Sequence, residues 1–519
     1  MPRPWQIGGL IAIGLGLRLW VLLGTYRLSA DEAIPGLMAR HILFSGELPV
    51  FYWGQSYFGA LESYLVAGLF FVLGFHPLLV FAPAILASVA LIPLTWLLAE
   101  RLGPPRAGFI ASVPVAVTPP IFGRVLENAG GGFALGCAFE LATAVLLMRA
   151  LSSSSRRFGS LAAAALTGGL AAWVWQPALL ALPLLLVFVF AHAHPFRSIR
   201  GAACATPALL GLLPMLAYNI TWHWPTLPAL VAKFEQQSST GDDVLAQLHN
   251  LGVIVFVTLG GGEESFGGSN PAQAIGLAAS LAIGLPVIAV VGMRDSGPPA
   301  RQRVVSGVVL LVVTAVGFTA AHGGARYLAG LFVGGCAFAG ALVALLMVRA
   351  PRLGGVTAAV WVLLCVAPNL SGYARLDELM APEQLSQLDQ TDAAVQALEQ
   401  RGLTTGYADY WAAYPITYAS AERIVVAPSL PFHYSGRVDR YPAYTEQVDA
   451  EQTAQRVFLL VDDQCSAQPY RDALESSGAT FRAEPVARWL LIWDIQPEPG
   501  AESSTLANFH ETVAAQQTC

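Results

Sequence analysis

Asp31 and Glu32 stand side by side in "LSADEAIPG" (28–36), directly after the first apolar run of the chain. Two chemistries fit an acidic pair in this position. In a capping box, S-x-x-E, Ser29 and Glu32 close the first turn of a helix and the carboxylates are structural. Pro35 argues against that register, because a helix capped at Ser29 loses the bond from residue 35 to the Asp31 carbonyl. The other chemistry is proton abstraction. An aspartate has an ordinary pKa of about 3.9, so at a water–membrane boundary it stays ionised and can take the proton of a hydroxyl group. Downstream, Ile34, Leu37, Met38 and Ile42 fall on one helical face. This predicts a helix lying on the bilayer surface with its acidic end at the mouth of a cavity.

The elements that must hold such a site are set by composition. Of the 519 residues, 55% are hydrophobic and only 12% charged, with a mean hydropathy of +0.56. A soluble chain of this length does not tolerate that balance, so the protein is a polytopic membrane protein. Each span takes about 20 apolar residues, and candidate apolar helices cover 6–24, 57–75, 78–99, 106–120, 131–149, 159–173, 176–193, 201–220, 272–293, 304–321, 327–348 and 353–370. The first has a basic start at Arg3 but no small-residue cleavage site before Ser29, which reads as a retained helix. The net charge of −6 and isoelectric point near 5.9, without a basic patch outside short loops, set nucleic-acid binding aside.

The positive-inside rule fixes an expected topology. Arginine-rich loops occur at Arg101 and Arg106, at Arg149, Arg156 and Arg157, at Arg197 and Arg200, at Arg294, Arg301 and Arg303, and at Arg349 and Arg352. All five are cytoplasmic with the N-terminus only if one early apolar segment fails to span. The best candidate is 57–75, which carries Glu62 and ends at His76 and Pro77; it reads as a re-entrant or interfacial helix. Eleven spans then remain. The loop 25–77, the loop 119–131, the segment 221–271, the turn 321–327 and the tail fall outside.

Residues 371–519 change character and alternate helical and strand patterns, predicting a small α/β domain outside the membrane after a bundle over 1–370. A helix is expected to end at Gly402, strands at "TTGYADY", "RIVVAP" and "RVFLLVDD", a helix at "PYRDALESSG", and one or two strands in "ATFRAEPVARWLLIWDI". Tyr407, Tyr410, Trp411, Tyr414 and Tyr418 form an aromatic run that reads as domain core or membrane-interface contact rather than a sugar platform. Cys137, Cys204, Cys336 and Cys365 lie in apolar runs and read as small core residues. Cys465 and Cys519 lie in the tail, where a disulfide needs an oxidising compartment.

Several short motifs recur in a fixed order: "GQSYFGALESY" (54–64), "ENAGGGF" (127–133), "PMLAYNI" (214–220), "ARYLAG" (325–330) and "GYADYWAAYPITYASAERIVVAP" (406–428). With the acidic pair in the first outer loop, they resemble the polyprenyl-phosphate-dependent glycosyltransferases of the GT-C superfamily. The similarity is to the branch of protein O-mannosyltransferases and the lipid A aminoarabinose transferase, glycosyltransferase family 39, and within it to a bacterial group largely of unassigned substrate. It covers nearly the whole chain, and the order of the motifs carries more weight than any one of them.

The resemblance implies transfer of a sugar from a lipid-linked phosphate to a hydroxyl on the outer face, with inversion, and Asp31 as the base. Glu32 is then an orienting or binding residue. A polyprenyl phosphate is already a good leaving group, so such a site needs a base and cations rather than the carboxylate pair of a hydrolase. Arg326, beside His322 and Tyr327, is the first choice for the phosphate, since guanidinium is permanently charged and bidentate; the alternative is a helix-end arginine that snorkels. Arg124 is the second choice, with Glu127 and Asn128 placed for sugar hydroxyls or simply in a solvated loop. Glu62 is an ionisable group in an apolar helix, which is costly unless it faces a cavity or partner. With Gln55 and Tyr57 it is expected to line the acceptor or sugar pocket, or to hold a divalent metal. No His/Glu spacing supports a metal site, so metal dependence stays open.

Asn219 reads as a helix cap and the Gly-rich segment 260–270 as a flap or a connector. The expected partners are a polyprenyl-phosphate sugar donor, a glycan, lipid or protein acceptor, and membrane lipids, at the plasma (inner) membrane with the N-terminus cytoplasmic. A lipid or solute transporter or flippase is the alternative, for which repeats and helices interrupted near the midplane are expected. A non-enzymatic assembly protein would not need Asp31.

Overall fold

The computed structural model describes residues 4–25, 28–152, 157–175, 206–229, 329–375, 387–430, 438–452, 457–462 and 467–496, with a few short pieces between them. Five stretches are helical, long and apolar enough to cross a bilayer: Pro4–Gly24, Pro77–Leu102, Phe133–Ala150, Gly330–Arg349 and Pro351–Ala374. The chain is thus a multi-pass membrane protein. The runs expected at 176–193, 272–293 and 304–321 lie outside the described residues apart from 178 and 273–277.

The bundle begins with α1 (Pro4–Thr25) and α2 (Ala30–Phe44), continues through a two-stranded hairpin, β1 (Phe51–Tyr52) and β2 (Gln55–Gly59), and then α3 (Leu61–Leu73). The single helix expected over 57–75 therefore starts as a strand. Gly54, at φ +66°, makes the hairpin turn, a conformation glycine adopts without steric cost. A 3₁₀ turn (Pro77–Phe81) leads into α4 (Ala82–Leu102), α5 (Ala107–Ala116), α6 (Pro120–Glu127), α7 (Phe133–Ser152), α8 (Arg157–Val174), α9 (Thr206–Thr221), α10 (Ala329–Arg349) and α11 (Pro351–Ala374). The run expected as one helix over 106–120 is broken before Pro119 and Pro120, neither of which has an N–H to continue the ladder. Polar side chains take the freed carbonyls. Arg18 Nη2 donates to Val115 O at 3.1 Å and Asn369 Nδ2 to Val117 O at 2.7 Å.

The C-terminal residues form α12 (Gln387–Gln400), β3 (Thr405–Asp409), α13 (Tyr410–Ala419), β4 (Val425–Leu430), α14 (Pro442–Gln452), β5 (Val457–Asp462), α15 (Ala467–Ser476), β6 (Thr480–Val486) and β7 (Trp489–Gln496). The five strands make one mixed sheet in the order β4-β3-β5-β7-β6. β3 runs parallel to β4 and β5, while β7 is antiparallel to β5 and β6. Successive strand residues point to opposite faces. Ala408, Val426, Leu460 and Leu491 pack in the cluster that includes α12; Tyr407, Ala427, Leu459 and Ile492 belong to the core shared with α2, α3 and the hairpin. That shared core joins the sheet to the bundle.

Helix α2 lies between α3 and α13. Ile34, Leu37 and Met38 have no exposed surface, so the expected helix on the bilayer surface is instead an interior one, covered by the C-terminal segment. Its far end carries a polar latch. Arg40 Nε meets Glu422 Oε2 at 2.8 Å, and the His41 ring lies between Glu47 Oε1 at 2.8 Å and Glu422 Oε1 at 2.7 Å. Tyr441 donates to Glu47 and Tyr444 to Glu422, and Trp53 stacks on Tyr441 with ring centroids 4.0 Å apart.

Burial alone would lower the His41 pKa, but its bonds to Glu422 and Glu47 hold it above its ordinary 6.5. Burial would raise Glu422, but His41, Arg40 and Tyr444 bring it down to about 2 from 4.5. The raised histidine stabilises docking below pH 6.5 and loses that contribution as pH rises through its folded value. The depressed glutamate stabilises above pH 4.5 and loses it only as pH falls through about 2. Docking is therefore expected to be tightest between about pH 4.5 and 6.5. Protection of α13 against hydrogen exchange, taken relative to the intrinsic exchange rate at each pH, should fall above that window, and Glu422→Gln should flatten the dependence; protection that does not vary between pH 5.5 and 8.5 would refute the latch.

Candidate active site

The first turn of α2 is capped after all. Glu32 Oε2 accepts the Ser29 backbone N–H at 2.8 Å and the Ser29 hydroxyl, which is the carboxylate half of a capping box. Pro35 does remove the helical bond to the Asp31 carbonyl, but the hydroxyl of Tyr52, from β1, donates to that oxygen in its place. The hairpin thus repairs the defect that proline introduces. Buried backbone acceptors are nearly always satisfied in this way.

The two acidic residues separate in role. Glu32 is 1% exposed; besides capping the helix, its Oε1 lies 3.5 Å from Arg124 Nη2. Asp31 is half-buried, and its Oδ1 accepts the hydroxyl of Tyr410 at 2.9 Å. Opposite Asp31 is the turn after α6. Asn128 Oδ1 accepts the Gly130 N–H at 2.6 Å, shaping a turn in which a Cβ at Gly130 would come within 2.7 Å of both Asp31 Cβ and Asp31 O. Gly130→Ala is expected to push the α2 N-terminus aside, at a cost of about 1–3 kcal/mol for overpacking. Unfolding measurements in detergent check this; a wild-type midpoint would refute the tight fit.

Glu62 is 4% exposed at the start of α3, where its Oε2 accepts the Gly132 N–H at 3.3 Å. Burial holds its pKa well above the carboxylate range, with Glu32 adding to the shift and Gly132 opposing it. Gln55 and Tyr57 lie on β2 beside Arg440. With the Gln55 amide turned so that its oxygen faces the guanidinium, that oxygen lies 2.8 Å from Arg440 Nη2, and Arg440 Nη1 donates to Gly54 O at 3.3 Å. Glu127, expected in a solvated loop or at sugar hydroxyls, is instead fully buried at the end of α6, facing Arg124 and Arg18. Its position comes from the apolar face of α6, with Ile121, Phe122 and Leu126 buried.

His322, Arg326 and Tyr327 lie outside the described residues, as do the segment 260–270, Cys465 and Cys519. Asn219 sits inside α9 rather than capping it; its Nδ2 donates to Met215 O and its Oδ1 accepts from Thr226 N. Among the described residues, no group of three or more His, Cys, Asp and Glu side chains converges as a metal site. Sequence reasoning missed Tyr52, Tyr410, Arg440 and Arg18. Only Tyr410 left a signal, as a member of "GYADYW".

No protein-family profile matches the sequence, and no curated protein matches it. Solved structures do. ArnT from Cupriavidus metallidurans bound to undecaprenyl phosphate superposes with a TM-score of 0.66 at 11% identity, covering 94% of this chain and 98% of that one. The chain has the GT-C fold. The oligosaccharyltransferase of Archaeoglobus fulgidus in the apo form shares the fold more loosely, with a TM-score of 0.52 at 12% identity over 91% of this chain and 71% of that one. AglB from the same organism, in complex with an inhibitory peptide and a dolichol-phosphate, gives 0.51 at 13% identity over the same shares.

Proposed function

We propose that the chain is a membrane glycosyltransferase that moves one sugar from a polyprenyl-phosphate donor to a hydroxyl acceptor at the extracytoplasmic face, with inversion. The observation that carries this reading is Asp31, a half-buried carboxylate whose Oδ1 accepts the Tyr410 hydroxyl, at the N-terminal turn of an interior helix in a GT-C fold. Support also comes from the undecaprenyl phosphate bound to the Cupriavidus ArnT and the dolichol-phosphate bound to AglB. Residues 1–370 form the catalytic bundle and 371–519 an extracytoplasmic domain, at the plasma (inner) membrane with the N-terminus in the cytoplasm.

In this mechanism the acceptor oxygen attacks the anomeric carbon as Asp31 takes its proton. The bond from that carbon to the phosphate oxygen breaks, and polyprenyl phosphate leaves with the electron pair. The site needs a cation at the departing phosphate; Arg326 is assigned there on its sequence position and Arg124 is the second choice. Glu32 keeps the helix start that presents Asp31. The test is release of polyprenyl phosphate from a panel of hexosyl and pentosyl donors by the purified protein in lipid nanodiscs, with water and added simple alcohols and glycosides as acceptor hydroxyls. Release from at least one donor, abolished in Asp31→Asn, is expected; release from none, or equal release by the variant, overturns the reading.

A further inference from the structure

We propose that Tyr410 is a positioning residue of the transfer reaction, its hydroxyl fixing the plane of the Asp31 carboxylate, so that the C-terminal segment supplies part of the active site. The inference rests on the reading of Asp31 as the base.

The backbone of Asp31 is fixed by elements of the bundle: the capped turn of α2, the Tyr52 hydroxyl on its carbonyl, and Gly130 against its Cβ. None of these sets the torsion of the carboxylate itself. The bond from Tyr410 to Oδ1 does, and with one oxygen fixed the direction of the other follows. A base works only within hydrogen-bonding reach of the proton it takes, about 2.6–3.2 Å, so this torsion decides whether an acceptor hydroxyl is met. Tyr410 is suited to donate and not to compete. Burial, with Asp31 adding to it, raises its pKa far above the ordinary 10, against the opposing pull of Arg440.

Tyr410 is itself held from several sides. Asp409 caps α13, accepting the Trp411 N–H at 2.8 Å. The Tyr410 ring stands edge-on to Trp411 at 5.0 Å and Tyr414 at 5.5 Å, with the Arg440 guanidinium 5.8 Å from its centroid. The Tyr414 hydroxyl accepts the backbone N–H groups of Arg440 and Tyr441, and Tyr418 donates to Pro77 O at 3.2 Å. With the latch at the other end of α2, these bonds make α13 a fixed support. Among the described residues, the ionisable groups around this site include Glu32 on α2, Tyr52 on β1, Tyr57 on β2, Glu62 on α3, and Tyr410 and Arg440 from the C-terminal segment, with Arg124 behind Glu32.

The test compares Tyr410→Phe with wild type and Asp31→Asn, all as full chains in nanodiscs, over a pH range. Losing a donor to an ionised carboxylate favours its protonated form. Tyr410→Phe is expected to lower kcat about tenfold to a hundredfold with little change in donor KM, and to move the acid limb of the kcat profile up by about one pH unit. A fluorinated tyrosine at position 410, the same shape with a more acidic hydroxyl, should keep the rate and move the limb down; it also serves if the phenylalanine variant inserts poorly. If Asp31→Asn is inactive while Tyr410→Phe keeps the wild-type kcat and acid limb, Tyr410 only packs and this inference is overturned. Full activity in Asp31→Asn instead overturns the base reading on which it stands.

Discussion

Asp31→Asn is expected to lower sugar transfer by about 10²- to 10⁴-fold, the usual worth of a general base, while leaving the protein inserted and donor binding nearly unchanged. Asparagine has the size of aspartate, and its amide oxygen can still accept the Tyr410 hydroxyl that Asp31 accepts at 2.9 Å. The Tyr52 bond falls on the backbone carbonyl, and the cap is made by Ser29 and Glu32; neither involves the Asp31 side chain. Removing one negative charge from the first turn of a helix weakens it by about 0.3–1 kcal/mol, far too little to unfold the bundle. What the amide lacks is basicity. The measurement is the initial rate of polyprenyl phosphate release at saturating donor and acceptor, beside the donor KM. A fall in kcat with KM held marks a role confined to the transition state. A fall that appears only in KM would instead make Asp31 a binding residue, and the base would have to be sought elsewhere.

Local pattern was legible in the sequence, and the meeting of distant segments was not. The strands read from "TTGYADY", "RIVVAP" and "RVFLLVDD" correspond to Thr405–Asp409, Val425–Leu430 and Val457–Asp462, because β-branched and apolar runs between turn residues carry their own signal. The aromatic run shows the limit. Tyr407, Tyr410, Tyr414 and Tyr418 are all buried core residues, but Tyr410 also turns its hydroxyl to Asp31, 379 residues away in the chain. All are tyrosines in one stretch, and only tertiary packing tells them apart. Pro35 misled for a related reason. The lost helical bond was real, but its replacement comes from Tyr52, which no local rule places there. Glu127 read as a loop residue because Pro119 and Pro120 read as the end of a span; a second short helix beyond them carries it inside instead.

The same breaks give the second large effect, which concerns Arg18. This residue is fully buried in α1. Its Nε donates to Ser88 Oγ at 2.6 Å, Nη1 to Gly14 O at 3.0 Å, and Nη2 to Val115 O at 3.1 Å. Val115 is the residue whose carbonyl Pro119 would serve in a continuous helix, so the guanidinium ties α1 and α4 to the point where α5 gives way to α6. Helix α6 in turn carries Arg124 to Glu32 at the start of α2. Methionine at position 18 fills most of the same volume but leaves Val115 O without its donor and Glu127 without one of its two facing cations. Breaking a buried, hydrogen-bonded charge in this way costs about 3–5 kcal/mol. Arg18→Met is therefore expected to lower the unfolding midpoint in detergent well below wild type, and to reduce transfer per folded molecule because the support of α2 shifts. The opposing physics is real, since a buried ion replaced by a well-packed apolar side chain is sometimes neutral. An unchanged midpoint would place Arg18 in that class. The freed carbonyl decides between them: Arg18 takes up Val115 O where Pro119 supplies no N–H, and an acceptor left unpaired in an apolar bundle costs several kcal/mol, so the backbone break at Pro119 is expected to depend on the arginine that spans it.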